Sequence, residues 1–314
     1  MTIRAIFKDY SITAKLLITI GACLVLTTLF SMAGMLFCNL FLGVSQEQLA
    51  QVANDYTNPT GIAVAKIMQV MMSFGFFILP PFILAFLFEG TIKEYLMLDR
   101  RINARALILV VLLMIGALPL VNAMGEWNSH MQLPAAFSSI EEWMRAEEDR
   151  LEQLTKALLQ MPRSSDLVLN LFVIALLPAI GEELLFRGIL QRLFVEWSGK
   201  KHLAVWVTAF VFSAIHMQFF GFFPRMILGA LLGYLVVWSG SLWFSITAHF
   251  VNNASAVILS YLYEHGASSL DPEAFGTSSS DLLLVMVSLV LVVFMVRMIK
   301  NTFERNPTSV SYPQ

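Results

Sequence analysis

The chain has 314 residues, of which 57% are apolar and only 13% are charged, and its net charge is −2. Soluble domains carry about 25% charged residues. A soluble fold of this length cannot hide so much apolar surface, so lipid must solvate much of the chain. No basic stripe is present, and a nucleic-acid partner is therefore not expected. We expect an all-α integral membrane protein that has membrane lipid around it.

The apolar segments predict a helical bundle. A bilayer core requires about 20 apolar residues per helix, and this length gives about eight transmembrane helices. The sixth segment is short and needs burial against its neighbours, whereas the second contains Pro80 and Pro81 and is expected to kink there. The segments are 16–42, 62–88, 104–124, 167–186, 203–219, 226–238, 242–262 and 282–298.

Lysine and arginine concentrate on alternate sides of these segments. Residues 43–61 and 264–280 contain neither, whereas residues 89–105 and 192–201 contain several of them. Under the positive-inside rule both termini then face the cytoplasm. We expect the chain to lie in the cytoplasmic membrane of a bacterium.

The chain divides into three parts. Residues 1–165 hold three membrane helices and a long non-cytoplasmic loop, residues 166–265 a helical core, and residues 266–314 the last membrane helix and a cytoplasmic tail that is disordered from residue 301. The loop contains a predicted amphipathic helix that begins at a capping box of Ser139 and Glu142. This helix either lies on the membrane or the bundle, or it serves as a lid or a substrate-docking element.

Ionisable side chains inside the membrane are concentrated in the helical core. Each costs about 2.5–3.5 kcal/mol on insertion and so marks a functional site by default. Glu183 and Arg187 are four positions apart, so they share a helix face and can form an ion pair, while Glu182 points about 100° away. His216 and His249 lie within apolar segments, at depths that allow them to converge with Glu182.

Each of these polar residues alone has a structural explanation. An intramembrane histidine, or Asn253 one turn beyond His249, is as often a helix–helix hydrogen-bonding residue as a catalyst. Gly229 and Gly233 form a small-xxx-small pattern that predicts a close helix contact. The conjunction of two glutamates, two histidines and an asparagine is more than packing needs. It indicates a functional polar site, for which both catalysis and proton-coupled transport stay open.

Three short motifs carry a family resemblance. Glu-Glu-x-x-x-Arg ends at Arg187, Phe-x-x-x-His runs from Phe212 to His216, and His-x-x-x-Asn runs from His249 to Asn253. In this order, on predicted membrane helices, the motifs resemble those of the CAAX-protease and bacteriocin-processing family. That family includes the Ras-converting CAAX endopeptidase and many bacterial relatives.

The resemblance, which covers about residues 167–262, implies a glutamate-dependent intramembrane endopeptidase. Its substrate is a membrane-associated peptide or protein. By position, Glu182 is the general base and activates a water molecule with His216, while His249 and Asn253 stabilise the oxyanion. The cavity is expected to open toward the cytoplasm. The supporting residues, which hold the site in place, are Glu183, Arg187 and Phe212.

Three alternatives to this mechanism or function stay open. Glu182, His216 and His249 also supply three ligands for a catalytic zinc, although the chain has no His-Glu-x-x-His helix; otherwise no cofactor is expected. A non-catalytic member that confers immunity or tolerance by binding a peptide carries the same motifs. A proton-coupled transporter also uses intramembrane ionisable groups, but paired discontinuous helices are not evident in the sequence.

Overall fold

The computed structural model describes residues 5–52, 55–100, 102–272 and 274–305. These residues form helices joined by turns, and there is no β-strand among them. Within the same residues, seven helices are long and apolar enough to cross a bilayer. The prediction of an all-α membrane bundle is confirmed, and the chain is an integral membrane protein.

The helices follow one another with short connections, apart from the loop between the third and fourth membrane helices. In chain order they are α1 (Ile12–Leu42), α2 (Gln46–Val52), α3 (Pro59–Phe88), α4 (Ile92–Tyr95), α5 (Ala104–Ser129), α6 (Ser138–Leu158), α7 (Ser164–Ser198), α8 (Lys201–Ala214), α9 (Phe222–Ser239), α10 (Leu242–Glu264) and α11 (Leu282–Arg305). Short 3₁₀ turns precede α6, α9 and α11.

The short membrane segment is the fifth, not the sixth as predicted. The sixth segment is α9, a helix of 18 residues, whereas the fifth is α8, which has only 14 residues and rises about 21 Å. The helix ends at Ala214, and the chain turns at His216 and then at Met217, whose φ of 55° is in the left-handed region. Hydropathy does not reveal this end because the residues that follow it are also largely apolar.

Proline residues reshape two of the membrane helices. A π-helical segment, Ser73–Ile78, precedes Pro80 and Pro81 in α3, and another, Leu171–Leu176, precedes Pro178 in α7. Proline has no N–H group and its ring clashes with a carbonyl of the preceding turn, so the regular hydrogen-bond ladder cannot continue through it. The distortion predicted at Pro80 and Pro81 takes this form.

Glycines allow the closest contacts between the helices of the core. A Cβ atom on Gly181 of α7 would lie 2.8 Å from the Cβ atom of Phe77 in α3. One on Gly229 of α9 would lie 3.3 Å from the Cα atom of Ala209 in α8, and one on Gly233 would also be within contact distance of α8. The close helix contact predicted from the small-xxx-small pattern is therefore confirmed.

The two ends of the bundle carry different connections. The first and last described residues lie at one end, where the Lys8 ammonium pairs with Glu89 at 2.9 Å; we call it the termini end. The chain crosses the bundle three times before it reaches α6, which therefore lies at the opposite end. Residues 43–52, 55–58, 265–272 and 274–281 lie at that end as well. We call that end the α6 end.

Two local predictions about loops and ends are wrong. The predicted amphipathic helix exists as α6, but it begins at Ser138 without a side-chain cap, so the capping box of Ser139 and Glu142 does not form. The neighbouring Glu141 accepts the Leu133 N–H instead, at 2.8 Å. α11 continues to Arg305, so residues 301–305 are helical rather than disordered; the rest of the predicted tail lies outside the described residues.

Candidate active site

Two adjacent glutamates lie where α7 changes its helical geometry. Glu182 and Glu183 end an α-helical stretch, Leu177–Glu183, and a π-helical segment, Leu184–Leu190, follows it. Such π segments shift the direction of side chains relative to an α-helix and are frequent at functional sites. Glu183 is fully buried and Glu182 is 9% exposed. The two carboxylates meet different partners.

Glu183 is held by three side chains. The Arg187 Nη1 donates to its Oε1 at 2.5 Å, the His249 Nδ1 donates to the same oxygen at 2.9 Å, and the Ser245 hydroxyl donates to Oε2. The predicted ion pair of Glu183 and Arg187 is therefore present, and both side chains are fully buried. Ser245 was not predicted, although it lies one helical turn before His249 and so shares its face.

Phe212 is the common neighbour of the arginine and both histidines. The Arg187 guanidinium carbon lies 4.6 Å from the centroid of the Phe212 ring, and its Nη2 donates to the Gly229 carbonyl at 2.9 Å. The Phe212 ring meets His216 and His249 edge to face, at centroid distances of 5.0 and 5.9 Å. Its position in the core fixes where both imidazole rings can lie.

Both histidines present the same nitrogen to the site. His216 lies in the turn after α8, not on a helix as predicted, and its Nδ1 is 2.6 Å from the Phe212 carbonyl oxygen. A carbonyl oxygen only accepts, so this Nδ1 carries a proton and the Nε2 of the neutral ring is an acceptor. The bond from His249 Nδ1 to the Glu183 carboxylate likewise leaves the Nε2 of that ring to face the site.

The two imidazoles converge on one carboxylate oxygen. The Nε2 atoms of His216 and His249 each lie 3.8 Å from Oε2 of Glu182. That distance is too long for a direct hydrogen bond. This Oε2 is buried and has no hydrogen-bond partner within the described part of the chain. The convergence of the three side chains that the sequence suggested is present.

The same three side chains are the candidate zinc ligands. Ligand atoms of a tetrahedral zinc lie about 2.0–2.1 Å from the metal, and hence about 3.3 Å from one another. Here Oε2 of Glu182 is 3.8 Å from each Nε2 of His216 and His249. No group of three or more His, Cys, Asp and Glu side chains among the described residues is arranged to hold a metal ion. These separations are wider than those between the ligands of one tetrahedral zinc ion.

Asn253 completes the wall of the site one helical turn after His249. Its Nδ2 donates to the Ile174 carbonyl at 3.3 Å, and its Oδ1 accepts from Asn252 at 3.1 Å. It shares a cavity of about 550 Å³ with Glu182, His216 and His249. The four residues with proposed chemical roles are therefore brought to a single cavity.

Helix α6 covers this cavity. Leu151, Leu154 and Leu158, on the predicted apolar face of α6, line the cavity opposite the polar site. The Arg145 guanidinium lies 4.3 Å from the centroid of the Phe220 ring, and a Glu148 carboxylate oxygen accepts the Phe220 N–H at 3.1 Å. The helix thus lies on the bundle, and these contacts join it to the turn that follows α8.

The cavity extends from the polar site toward the α6 end. His249 lies near the start of α10 at the termini end, whereas Ala256 and Val257, further along α10, line the cavity beneath α6. A cytoplasmic opening and cytoplasmic termini were both expected. With cytoplasmic termini the cavity would run toward the other side of the membrane, because α6 and the termini lie at opposite ends of the bundle. Sequence reasoning missed this because it places residues by depth, not by the direction in which a cavity runs.

Other cavity residues were also missed. Arg225, Gln218 and Asn252 line the cavity with the predicted residues. Arg225 comes at the start of an apolar segment, where an arginine usually reaches the lipid headgroups. Asn252 is adjacent to a motif residue, and Gln218 lies in a turn that hydropathy does not detect.

The helices that carry the site match a known family. Residues 164–255 match the family model described as "Type II CAAX prenyl endopeptidase Rce1-like". We call these residues, which resemble that family, the Rce1-like segment. It begins with α7, ends within α10 and includes every residue of the three motifs. The resemblance predicted from the motifs is confirmed for the Rce1-like segment, whereas α6 and the first three membrane helices lie outside it.

One curated protein resembles part of this chain. The uncharacterized protein YpbD of Bacillus subtilis (strain 168) is 32% identical to this chain over 89 residues. The match covers 27% of this chain and 42% of YpbD, so the chain spans less than half of that relative's length. No solved structure matches the chain significantly.

Proposed function

We propose that this protein is an intramembrane endopeptidase that hydrolyses a peptide bond in a membrane-associated peptide or protein. The observation that supports it best is the approach of the His216 and His249 Nε2 atoms to the buried Oε2 of Glu182, at 3.8 Å each. The match to the Rce1-like model over the same helices supports an endopeptidase.

The first step activates a water molecule between Glu182 and His216. A separation of 3.8 Å suits two groups bridged by one water. The Glu182 Oε2 and the neutral His216 Nε2 both accept, so the water donates one hydrogen to each. Glu182 takes a proton as the water oxygen bonds to the scissile carbonyl carbon. It returns that proton to the leaving nitrogen as the C–N bond breaks.

His249 and Asn253 stabilise the charge that develops on the carbonyl oxygen. Glu183 accepts from His249 Nδ1 and so aims the Nε2 of the ring at the site, where in this proposal it carries a proton and donates to the oxyanion. Asn253 uses one Nδ2 hydrogen on the Ile174 carbonyl and has a second for the oxyanion. Donors fixed by the fold cost no reorganisation as the reaction proceeds, which is why such groups can accelerate acyl transfer strongly.

The proposed membrane orientation keeps both termini in the cytoplasm. The termini end carries Lys93, Arg105, Lys200 and Lys201, whereas the connections 43–58 and 265–281 at the other end have no lysine or arginine. In this orientation the cavity runs toward the non-cytoplasmic side of a bacterial cytoplasmic membrane, where α6 covers it.

The test compares the membrane-proteome termini of cells that carry wild type, Glu182→Gln or His216→Ala. A matched control is Glu196→Gln, because Glu196 is also on α7 but pairs with Arg192 outside the cavity. We expect a defined set of new termini with wild type and with the control only. If all four proteins give the same termini while the phenotype still requires the protein, peptide binding or proton-coupled transport replaces hydrolysis.

The proposal includes no metal. The purified wild-type enzyme should retain its activity in 1,10-phenanthroline, and elemental analysis should find zinc well below one ion per chain. Loss of activity that added zinc restores would contradict this part of the proposal and assign Glu182, His216 and His249 as ligands. The hydrolase itself would still stand, since the same variants would remain inactive.

A further inference from the structure

Arg225 is a positive charge inside the site that none of the three motifs includes. It lies near the start of α9 and lines the cavity of about 550 Å³ together with Glu182 and both histidines. It also lines an adjoining cavity of about 470 Å³ that runs toward the α6 end. No other lysine or arginine of the described chain lines either cavity.

The charge of Arg225 has a neutral partner. Its Nη2 donates to the Oε1 of Gln218 at 2.5 Å and its Nη1 to the Gln218 carbonyl at 3.4 Å. Within the described residues no carboxylate oxygen lies within 4.0 Å of it, although Glu182 and Glu148 are near enough to act on it electrostatically. A partly buried charge without a contacting counter-ion is costly, so the site favours an anion from outside.

The adjoining cavity has room and polarity for more of a peptide. Its lining is mostly apolar but includes Asn252 and Ser260, whose side chains can form hydrogen bonds with a peptide backbone. Arg225 lies where the two cavities meet, since it lines both of them. A peptide that extends from the catalytic groups into the second cavity must pass its guanidinium.

We infer that Arg225 binds a carboxylate of the peptide substrate close to the bond that is cut. This inference rests on the proposed function and deepens it, because it makes the enzyme selective for peptides with a carboxylate near the cleavage site. The planar guanidinium has several N–H donors and can bind a carboxylate with two parallel hydrogen bonds, beyond those given to Gln218. The carboxylate belongs either to an Asp or Glu side chain or to the C-terminus of the peptide.

The experiment uses three peptide libraries made from one membrane-protein extract by Lys-C digestion. The first is untreated. The second is amidated before digestion, which neutralises Asp and Glu side chains but leaves the new C-termini free. The third is amidated after digestion, which neutralises both. Purified wild type, Arg225→Gln, Arg225→Lys and the control Arg297→Gln, an exposed arginine on α11, cleave each library, and mass spectrometry measures the rates.

We expect wild type and Arg297→Gln to cleave the untreated library about 10–100-fold faster than the fully amidated one, as hydrogen bonds to charged groups predict. Loss of cleavage already in the second library assigns the carboxylate to a side chain, and loss only in the third assigns it to the C-terminus. Arg225→Gln should lose this preference, so that it cleaves the untreated and the fully amidated libraries at similar rates. Arg225→Lys should keep part of the preference, because it keeps the charge but not the planar fork.

Two results would overturn the inference alone. One is a wild type that cleaves all three libraries equally, and the other is an Arg225→Gln protein that keeps the wild-type preference. If Arg225→Gln does not accumulate as a folded protein, two measurements still test the inference. They are the ratio of the wild-type rates on the untreated and fully amidated libraries, and the same ratio for Arg225→Lys. A wild type that cleaves no library, in an assay where it is folded, overturns the proposed function and this inference with it.

Discussion

His249 Nδ1 lies 2.9 Å from Oε1 of Glu183, and this hydrogen bond turns the Nε2 of His249 toward Glu182. Glu183 is itself fully buried and paired with Arg187, so its carboxylate is fixed before any substrate binds. A buried ion pair is weak evidence for stability, but here it orients a group of the site. The adjacent glutamates thus have separate roles: Glu183 positions the His249 ring, whereas Glu182 faces the cavity.

Removal of the Glu183 charge should destabilise the fold far more than removal of the Glu182 charge. Glu183→Gln takes away the carboxylate that pairs with the buried Arg187, a change that typically costs about 3–5 kcal/mol. Glu182→Gln alters an oxygen that has no hydrogen-bond partner in the described chain, so its effect on stability should be small. Thermal unfolding of the detergent-purified variants measures the difference.

A double variant provides the control for this comparison. Glu183→Gln combined with Arg187→Met removes both charges and should recover part of the lost stability, because no unpaired charge remains. Activity should not return, since a neutral amide replaces the carboxylate that accepts the His249 Nδ1–H. Equal unfolding temperatures for wild type and Glu183→Gln would show that the pair does not support the fold.

Gly229 should tolerate no side chain. A Cβ atom there would lie 3.1 Å from Cδ1 of Phe212 and 3.3 Å from the Cα atom of Ala209, which is backbone and cannot easily move. Gly229→Ala should therefore destabilise the protein by about 1–3 kcal/mol, the usual cost of overpacking. Activity should fall further than stability explains, because Phe212 packs against both histidines.

The matched control is Gly21→Ala in α1. A Cβ atom at Gly21 meets no other atom within 4 Å, and alanine is the better helix former by about 0.5–1 kcal/mol. Its unfolding temperature should equal or slightly exceed that of wild type. A Gly229→Ala protein that matches Gly21→Ala in both stability and activity would contradict the packing role of Gly229.

The polar site was predictable because helical spacing is rigid. Residues four apart share a helix face, so the motifs specify that Glu183 meets Arg187 and that His249 and Asn253 face one way. The convergence of Glu182 with His216 required only that helices of similar depth pack together. These inferences depend on local geometry, which a sequence specifies well.

The remaining features depend on contacts between elements that no local pattern encodes. α8 ends at Ala214, and the backbone then adopts a left-handed conformation at Met217. Because the residues around this end are largely apolar, hydropathy predicted that the helix continues over His216. The side on which the cavity opens follows from where α6 packs, and an amphipathic pattern fits a membrane surface as well as a bundle. In the sequence, Arg225 resembles an arginine at the membrane interface. In the structure it bonds to Gln218, in the turn after α8, and lies in the cavity.

Weakening the contacts of α6 should open the cavity without unfolding the bundle. The Trp143 and Arg145 side chains pack on the rings of Phe219 and Phe220, at centroid distances of 5.3 and 4.3 Å. The Trp143→Ala, Arg145→Ala double variant removes these contacts. Hydrogen–deuterium exchange in residues 138–158 should rise at least several-fold, while exchange in the membrane helices stays unchanged.

Arg150→Ala serves as the control for the α6 variant. Arg150 pairs with Glu147 on the same helix at an exposed position, so its removal should leave exchange in α6 nearly unchanged. If exchange in the double variant equals that of the control, α6 is held by other contacts, and the packing on Phe219 and Phe220 does not keep the cavity closed.

The orientation of the bundle predicts which face of the membrane reaches α6. Cys23 and Cys38 are buried and can be replaced, after which single cysteines report exposure to an impermeant maleimide. Ser139→Cys, on exposed α6, should react in intact spheroplasts, whereas Lys200→Cys, exposed at the termini end, should react only after permeabilisation. The reverse pattern would put the termini outside and make the cavity open toward the cytoplasm, so the substrate would have to come from that side. The cysteines introduced at positions 139 and 200 lie at opposite ends of the bundle. Labelling of both variants in intact spheroplasts would therefore reveal a leaky preparation.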